Sequence, residues 1–156
     1  MGEVSLNPCT FLWIVAGARD LSPAASQIFA NLANEVFLSA LFLWEFSVKH
    51  VLGKLPPPGM LDCFVLEERA EHGIAAIPLI EPAVLHLHKL PLLHRDPFDR
   101  RLICQAIEHS CVLLTPDPLI AQYPVRTRWY VCTSACSVNT GTQGYDFCVF
   151  RRAHSV

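Results

Sequence analysis

The most informative segment of this sequence reads His94-Arg95-Asp96-Pro97-Phe98-Asp99-Arg100-Arg101-Leu102-Ile103-Cys104-Gln105-Ala106. It predicts the start of a helix, because Pro97 has a fixed φ and no N–H and therefore suits the first helical position. Asp96 is suited to cap the first backbone N–H groups, and Asp99 falls in the first turn, where the helix dipole favours negative charge. Apolar residues then recur at helical spacing and predict one buried face: Phe98, Leu102, Ile103 and Ala106.

The composition is that of a folded protein. The chain has 156 residues, of which 52% are apolar and 17% are charged, which predicts one domain with a sizeable core rather than disorder throughout. Charged residues and prolines interrupt the apolar runs before they reach the roughly 20 residues of a membrane span. The start lacks the basic residues and apolar run of a signal peptide, so we expect a cytoplasmic protein without a membrane segment.

Cysteine count and net charge narrow the class further. Seven cysteines at irregular spacing make a poor disulfide framework, and four of them lie singly in apolar segments, as small buried residues do. The net charge of −2 argues against non-specific binding to nucleic acid. It does not exclude a nuclease, because an acidic metal site can coexist with local basic patches.

Strands and helical segments are predicted to alternate. Four strands are expected: one running into Leu6, and others at residues 35–38, 74–79 and 111–114, with a short fifth at 125–129. Helices are expected between them, including 39–52, 60–71 and 81–90. This alternation predicts an α/β fold with three α/β/α layers and a central, mainly parallel sheet of four or five strands. Ligands of such sheets bind beyond the carboxyl ends of the strands, where several polar residues fall: Asn7, Ser39, Thr115 and Asp117.

The first segment resembles a known family. His-Arg-Asp-Pro-Phe-Asp-Arg followed by Leu-Ile-x-Gln-Ala resembles the signature helix of PIN-domain ribonucleases, specifically the VapC-like toxins of bacterial type II toxin–antitoxin systems. The resemblance runs from about residue 6 to residue 129, which we take as a PIN-like domain spanning 1–129. It implies a Mg²⁺- or Mn²⁺-dependent endoribonuclease that hydrolyses RNA phosphodiester bonds. It also implies a cognate antitoxin that inhibits the nuclease, and a homodimer.

The resemblance also implies which residues form the site. Glu45 in Leu-Trp-Glu matches the second acid of the family, Asp99 the third, and Asp117 in Leu-Thr-Pro-Asp the fourth. Asp96 matches an accessory catalytic acid. Several carboxylates close together repel one another unless a cation joins them, and Mg²⁺ or Mn²⁺ would also activate water for attack on phosphorus.

Further residues would support these acids. Ser39 and Thr115 are expected to contribute hydroxyl groups at the ends of the second and fourth strands. Arg95, Arg100 and Arg101 are candidates for holding RNA phosphates, because guanidinium groups bind phosphate oxygens well.

The first acid is where this chain departs from the family. The family pattern is Leu-Asp-Thr before Phe-Leu-Trp, whereas this sequence reads Leu6-Asn7-Pro8-Cys9-Thr10-Phe11-Leu12-Trp13. Asn7 therefore occupies the place of the aspartate most central to metal binding. Its amide oxygen can ligate a cation, but it brings no charge. The alternative function is therefore a catalytically degenerate PIN domain that acts only as an antitoxin- or RNA-binding module.

Each candidate also has a purely structural interpretation. Glu45 and Lys49 are four residues apart on a predicted helix and could form an exposed ion pair worth about 0.3–0.5 kcal/mol. Asp96 could be only an N-cap, Asp117 only a turn residue between prolines, and the arginines only a solvated helix end. Trp13 and Trp44 are more typical of a core than of nucleotide stacking. A receiver-like phosphoacceptor domain also places acids at strand ends, but it needs an aspartate–lysine pair that we do not find here.

The end of the chain differs in character. Residues 130–156 are expected to form an extension of unknown order, with an edge strand possible at 145–152. The cysteines of this extension and its histidine invite comparison with a zinc site, but their spacing matches no standard finger: Cys132, Cys136, Cys148 and His154.

Overall fold

The computed structural model of the protein describes residues 2–53 and 61–129. Within them the strands are β1 Glu3–Leu6, β2 Glu35–Ser39, β3 Ala75–Ile77, β4 Val112–Leu114 and β5 Thr127–Arg128. The α-helices are α1 Pro8–Val15, α2 Pro23–Ala30, α3 Ala40–Val51, α4 Leu61–Glu71, α5 Glu81–His86 and α6 Pro97–Glu108. Two 3₁₀ turns complete the set, Leu87–Lys89 and Ile120–Gln122.

The strands form one parallel sheet in the order β3-β2-β1-β4-β5. Leu6 at the end of β1 pairs with Leu38 of β2 on one side and Leu114 of β4 on the other, so these three strands end side by side. The predicted α/β class with a central parallel sheet is therefore confirmed.

Two hydrophobic clusters cover the sheet. Leu113 and Leu114 are consecutive residues of β4 and belong to different clusters, which places the clusters on opposite faces because side chains alternate along a strand. One cluster contains Phe11 of α1 and Phe42 of α3, and the other contains Ile103 of α6. These contacts produce the three layers that the sequence predicts.

Short polar residues turn the chain from strand into helix. The Asn7 Oδ1 accepts a hydrogen bond from the Cys9 N–H at 2.9 Å, and the Ser39 Oγ accepts one from the Leu41 N–H at 3.1 Å. The predicted Asp96 cap is also present, since its Oδ1 accepts a hydrogen bond from the Phe98 N–H at 2.8 Å. Each cap satisfies an N–H group that the first helical turn leaves unpaired.

The helix predicted for residues 81–90 is shorter than expected. It is α-helical only through His86 and continues as the 3₁₀ turn Leu87–Lys89. An α-helical bond to the Leu87 carbonyl would need the N–H of residue 91, which is Pro91 and has none. The fifth strand is also reduced, to Thr127–Arg128.

The predicted extension at residues 130–156 lies outside the described residues, together with the edge strand considered there and the cysteines and histidine compared with a zinc site. Among the residues that the structure describes, no helix combines the length and the apolar character needed to cross a bilayer.

Candidate metal site

Acidic side chains from three distant parts of the chain share one environment at the carboxyl ends of the strands. The pKa of Asp99 is raised to about 7, with burial as the largest cause, and the His94 ring partly opposes that rise. The negative charges of Asp96, Glu45 and Asp117 also contribute to this raised pKa. Since such effects fall off steeply with distance, the acids predicted from α3, α6 and the loop after β4 lie in one neighbourhood.

Glu45 lies in the buried part of this neighbourhood. Glu45 is only 3% exposed, and it lines the same small pocket as Asp99 and Ser39. The predicted ion pair is present as well, because Lys49 Nζ lies 2.5 Å from Glu45 Oε1. The pair is not the exposed one that we considered, since the Glu45 side chain is buried. Glu45 therefore forms an ion pair with Lys49 and also lies beside Asp99.

Asp117 is held by its own turn. The Asp117 N–H donates to Thr115 Oγ1 at 3.2 Å, and Asp117 Oδ1 accepts a hydrogen bond from the Leu119 N–H at 2.8 Å. The other carboxylate oxygen, Oδ2, lies 2.9 Å from His94 Nε2. The turn and the site therefore use different oxygens of the same side chain, and the Thr115 hydroxyl supports the turn.

Asn7 is buried at the end of β1. Its backbone N–H donates to the Leu114 carbonyl at 3.1 Å, and its amide oxygen is the acceptor that caps α1. Cys9, two residues onward, shares the acidic environment: the pKa of its thiol is raised to about 12, mainly by burial and also by the charges of Asp99 and Glu45. The thiol therefore stays protonated, and sequence analysis did not identify its proximity to the acids.

Ser39 joins α6 to the strand ends. Its hydroxyl donates to Gln105 Oε1 at 2.5 Å, and Gln105 Nε2 donates to the Pro78 carbonyl at 2.7 Å and the Ile77 carbonyl at 3.2 Å. Ser39 and Gln105 are both buried. The glutamine of the first segment thus fixes the helix that carries Asp99 against β2 and β3.

Arg100, predicted to hold RNA phosphates, lies inside the fold. Its side chain is buried, and its guanidinium donates to the carbonyl oxygens of Pro91 at 3.2 Å, Leu87 at 3.3 Å and Leu90 at 3.4 Å. These hydrogen bonds engage the guanidinium within the fold, in contrast to the solvent-facing group that we expected for binding RNA phosphates. Arg100 instead satisfies carbonyl groups where the chain leaves α5.

Arg95 and Arg101 remain candidates for contact with a ligand. Arg95 is exposed, and the Arg101 guanidinium carbon lies 5.1 Å from the Trp44 ring centroid and 5.9 Å from that of Phe98. Trp44 is 50% exposed, so our expectation of a core position for it was wrong. Trp44 and Phe98 precede Glu45 and Asp99 directly in the sequence. A cation and an aromatic surface therefore flank the acids.

His94 is the site residue that sequence analysis missed. It is buried, and its Nε2 lies 2.9 Å from Asp117 Oδ2 and 3.4 Å from Asp99 Oδ2. In the sequence, His94 is marked only by its position at the start of the segment 94–106. That position gives no information about which side chains of the loop after β4 lie near it. Nothing in the local pattern predicts the contact with Asp117.

The donor set fits a hard divalent cation. Carboxylate oxygens and an amide oxygen are the ligands that Mg²⁺ and Mn²⁺ prefer. Burial is the main cause of the raised pKa of Asp99, and the charges of Asp96, Glu45 and Asp117 add to it, so a bound cation would favour the ionised carboxylate. Glu45, Asp99 and Asp117 would hold the cation, and Asn7 would be an uncharged neighbour.

The same pKa predicts how the stability of the metal-free protein depends on pH. The Asp99 carboxyl has a pKa of about 7 when folded against a reference value of 3.8, so the folded state binds more protons between these values. The contribution of Asp99 to the free energy of unfolding should therefore fall as pH rises from about 4 to about 7 and then level off. The test compares wild type with Asp99→Asn in chelator. The melting temperature of wild type minus that of Asp99→Asn should be lower at pH 8 than at pH 5. A change of about 1 kcal/mol in the free energy of unfolding would shift the melting temperature by about 2–4 °C. A difference that is constant across this range would contradict the prediction. The groups facing Asp99 are Glu45, His94, Asp96 and Asp117.

Known proteins match this chain in structure and not in sequence. No family model and no curated protein matches it. A chain from the crystal structure of VapBC2 from Rickettsia felis, bound to a DNA fragment from its promoter, matches with a TM-score of 0.62 and 13% identity, over 81% of this chain and 97% of that one. A domain of a functionally unknown protein from Methanocaldococcus jannaschii matches with a TM-score of 0.51 and 15% identity, over 86% of this chain and 95% of that one. The chain therefore has a PIN-like fold.

Proposed function

We propose that the protein is a VapC-like endoribonuclease that hydrolyses RNA phosphodiester bonds with Mg²⁺ or Mn²⁺. The observation that carries this proposal is the convergence of Glu45, Asp99 and Asp117 at the strand ends, where the Asp99 pKa is raised to about 7. A structural domain gains nothing from gathering buried carboxylates that repel one another. The PIN-like fold supports the proposal, because its strand ends are where such an acidic site would be built.

The residues of the site would divide the work. A bound Mg²⁺ or Mn²⁺ would activate water and offset the negative charge that develops on the phosphate oxygens. Glu45, Asp99 and Asp117 would hold it, while Asp96 keeps the start of α6 in place through its N-cap. Arg95 and Arg101 would hold RNA phosphates on either side of the acids, and Trp44 offers an aromatic face beside Arg101.

The proposed function includes partners. We infer a cognate antitoxin that inhibits the nuclease, with a basic side chain that would pair with the same carboxylates as the cation. We also infer a homodimer and a cytoplasmic location. The structural similarity to a chain of VapBC2 from Rickettsia felis supports the search for an antitoxin.

A second candidate function follows from Asn7. Its amide oxygen already accepts the hydrogen bond that caps α1, and it brings no charge to the site. A domain that keeps the fold and has lost cleavage would act as an antitoxin- or RNA-binding module. The two candidate functions differ in whether Glu45, Asp99 and Asp117 are enough to bind a cation that supports cleavage.

Asn7→Asp separates the two functions. We expect wild type to cleave RNA with Mn²⁺, and Asn7→Asp to bind Mn²⁺ about tenfold or more tightly because it adds a ligand charge. Cleavage rates measured across a Mn²⁺ titration test this. Asn31→Asp is the matched control, since Asn31 is exposed near the opposite ends of the strands and its substitution adds the same charge.

The outcomes are distinct. Cleavage by Asn7→Asp with none by wild type would establish the binding module. No cleavage by either protein at any Mn²⁺ concentration would contradict the nuclease assignment.

A further inference from the structure

His94 makes hydrogen bonds through its backbone N–H and through both ring nitrogens. Its backbone N–H donates to the Tyr123 hydroxyl at 2.7 Å, and its ring Nδ1 accepts a hydrogen bond from the Asp96 N–H at 3.1 Å. Its Nε2 faces Asp117 Oδ2 at 2.9 Å and Asp99 Oδ2 at 3.4 Å. His94 is 6% exposed, so water does not compete for these contacts. The ring therefore joins the loop after β4 to the start of α6.

These partners select one form of the ring. The backbone N–H of Asp96 is always a donor, so Nδ1 has to present its lone pair to it. The proton of the neutral ring is then on Nε2, where it is donated to the carboxylates. Protonated Nδ1 would bring two N–H groups against each other.

The same partners exclude a role that the cluster suggests at first sight. The ligating atoms of His94, Asp99 and Asp117 all lie within 4.8 Å of one another, as in a metal site. A histidine that ligates through Nε2 has to give up the proton there, and it donates the proton on Nδ1 to an acceptor. Here the group beside Nδ1 is a donor. The arrangement is the reverse of a ligating histidine.

We propose that His94 is a positioning residue, which uses its Nε2–H to hold the Asp117 and Asp99 carboxylates at the spacing a cation needs and does not itself ligate the cation. The backbone N–H of Asp96 fixes the tautomer, and the buried Tyr123 hydroxyl fixes the backbone of His94. This inference deepens the proposed function and relies on it only for the identity of the cation.

The tautomer is tested without any cleavage assay. Long-range ¹H–¹⁵N correlation spectra distinguish Nε2–H, Nδ1–H and imidazolium rings, and His94→Gln identifies the His94 signals by their loss. In chelator at neutral pH, we expect the Nε2–H pattern, and we expect it to persist after Mg²⁺ is added. An Nδ1–H or imidazolium ring, or loss of the Nε2 proton on adding Mg²⁺, would overturn the proposal.

A pair of variants tests the positioning itself. In Gln the amide nitrogen reaches the place of Nε2, whereas in Asn it reaches only the place of Nδ1. We expect His94→Gln to keep Mn²⁺ affinity within about threefold of wild type and His94→Asn to weaken it by about tenfold or more, as for other residues that orient ligands. Mn²⁺ binding is measured by the electron paramagnetic resonance of the free ion, with His88→Gln at an exposed histidine as control.

A merely structural role would give another pattern. Melting temperatures of both variants would then fall together, without a difference in Mn²⁺ affinity between Gln and Asn, and that result would overturn the proposal. Absence of Mn²⁺ binding in wild type would contradict the proposed function instead, and the spectra in chelator would still decide the tautomer.

Discussion

Asp99→Asn is expected to reduce Mn²⁺-dependent RNA cleavage by about a hundredfold or more, while it raises the melting temperature of the metal-free protein at pH 8. Under the proposed function, cleavage should fall because the substitution would remove one of the charged ligands of the cation. Stability should rise because burial and the neighbouring carboxylates already penalise the Asp99 charge, as its pKa of about 7 shows. Single-turnover cleavage and thermal unfolding in chelator measure the two effects.

The opposite signs make this prediction informative. A variant that lost activity by misfolding would melt at a lower temperature, not a higher one. Asp20→Asn serves as the control, since Asp20 is exposed in the segment between α1 and α2 and its substitution changes the net charge equally. If Asp99→Asn kept wild-type cleavage, Asp99 would have no place in the metal site.

The second large effect is expected at Arg100. Arg100→Ala should lower the free energy of unfolding by about 2–4 kcal/mol, because it leaves the carbonyl groups of Leu87, Leu90 and Pro91 without their donor. Arg101→Ala should cost only about 0.5–1 kcal/mol, the value of a cation–π contact at an exposed site. Denaturant unfolding compares the two variants.

For RNA affinity, we expect the larger loss from the Arg101 substitution and the smaller one from the Arg100 substitution, the reverse of their effects on stability. Under the proposed function, Arg101→Ala weakens RNA binding, whereas Arg100→Met, which keeps the aliphatic packing of the arginine stem, leaves it unchanged wherever the protein is folded. Filter binding with a chelated, cleavage-free sample measures this. Weakened RNA binding by Arg100→Met at full stability would restore the phosphate role first expected for Arg100.

Local patterns predicted the parts of the fold that depend on local physics. The helix α6 is predicted by Asp96, Pro97 and the apolar spacing after them. The Asp96 side chain caps it as expected, by accepting a hydrogen bond from the Phe98 N–H. Ser22 likewise caps α2 by accepting a hydrogen bond from the Ala25 N–H at 3.1 Å. Such signals involve atoms a few residues apart, so one sequence is enough to read them.

Other features depend on distant residues and could not be predicted in this way. The local sequence around Arg100 is typical of a solvated arginine, but in the structure its guanidinium donates to a carbonyl at the end of α5. Trp44 is typical of a core residue, but the packing of its helix leaves its side chain half exposed. His94 acquires its place only when the loop after β4 brings Asp117 to it. Each outcome is decided by which elements pack together.

The order of the sheet has a consequence for synthesis on the ribosome. β1 lies between β2 and β4, and the hydroxyl of Thr10 reaches the Leu114 carbonyl across 104 positions of the chain. A nascent chain that stops short of β4 holds Glu45 and Asp99 but lacks both Asp117 and one of the two strands that pair with β1. The acidic cluster therefore cannot assemble until β4 and the loop that follows it have been synthesised.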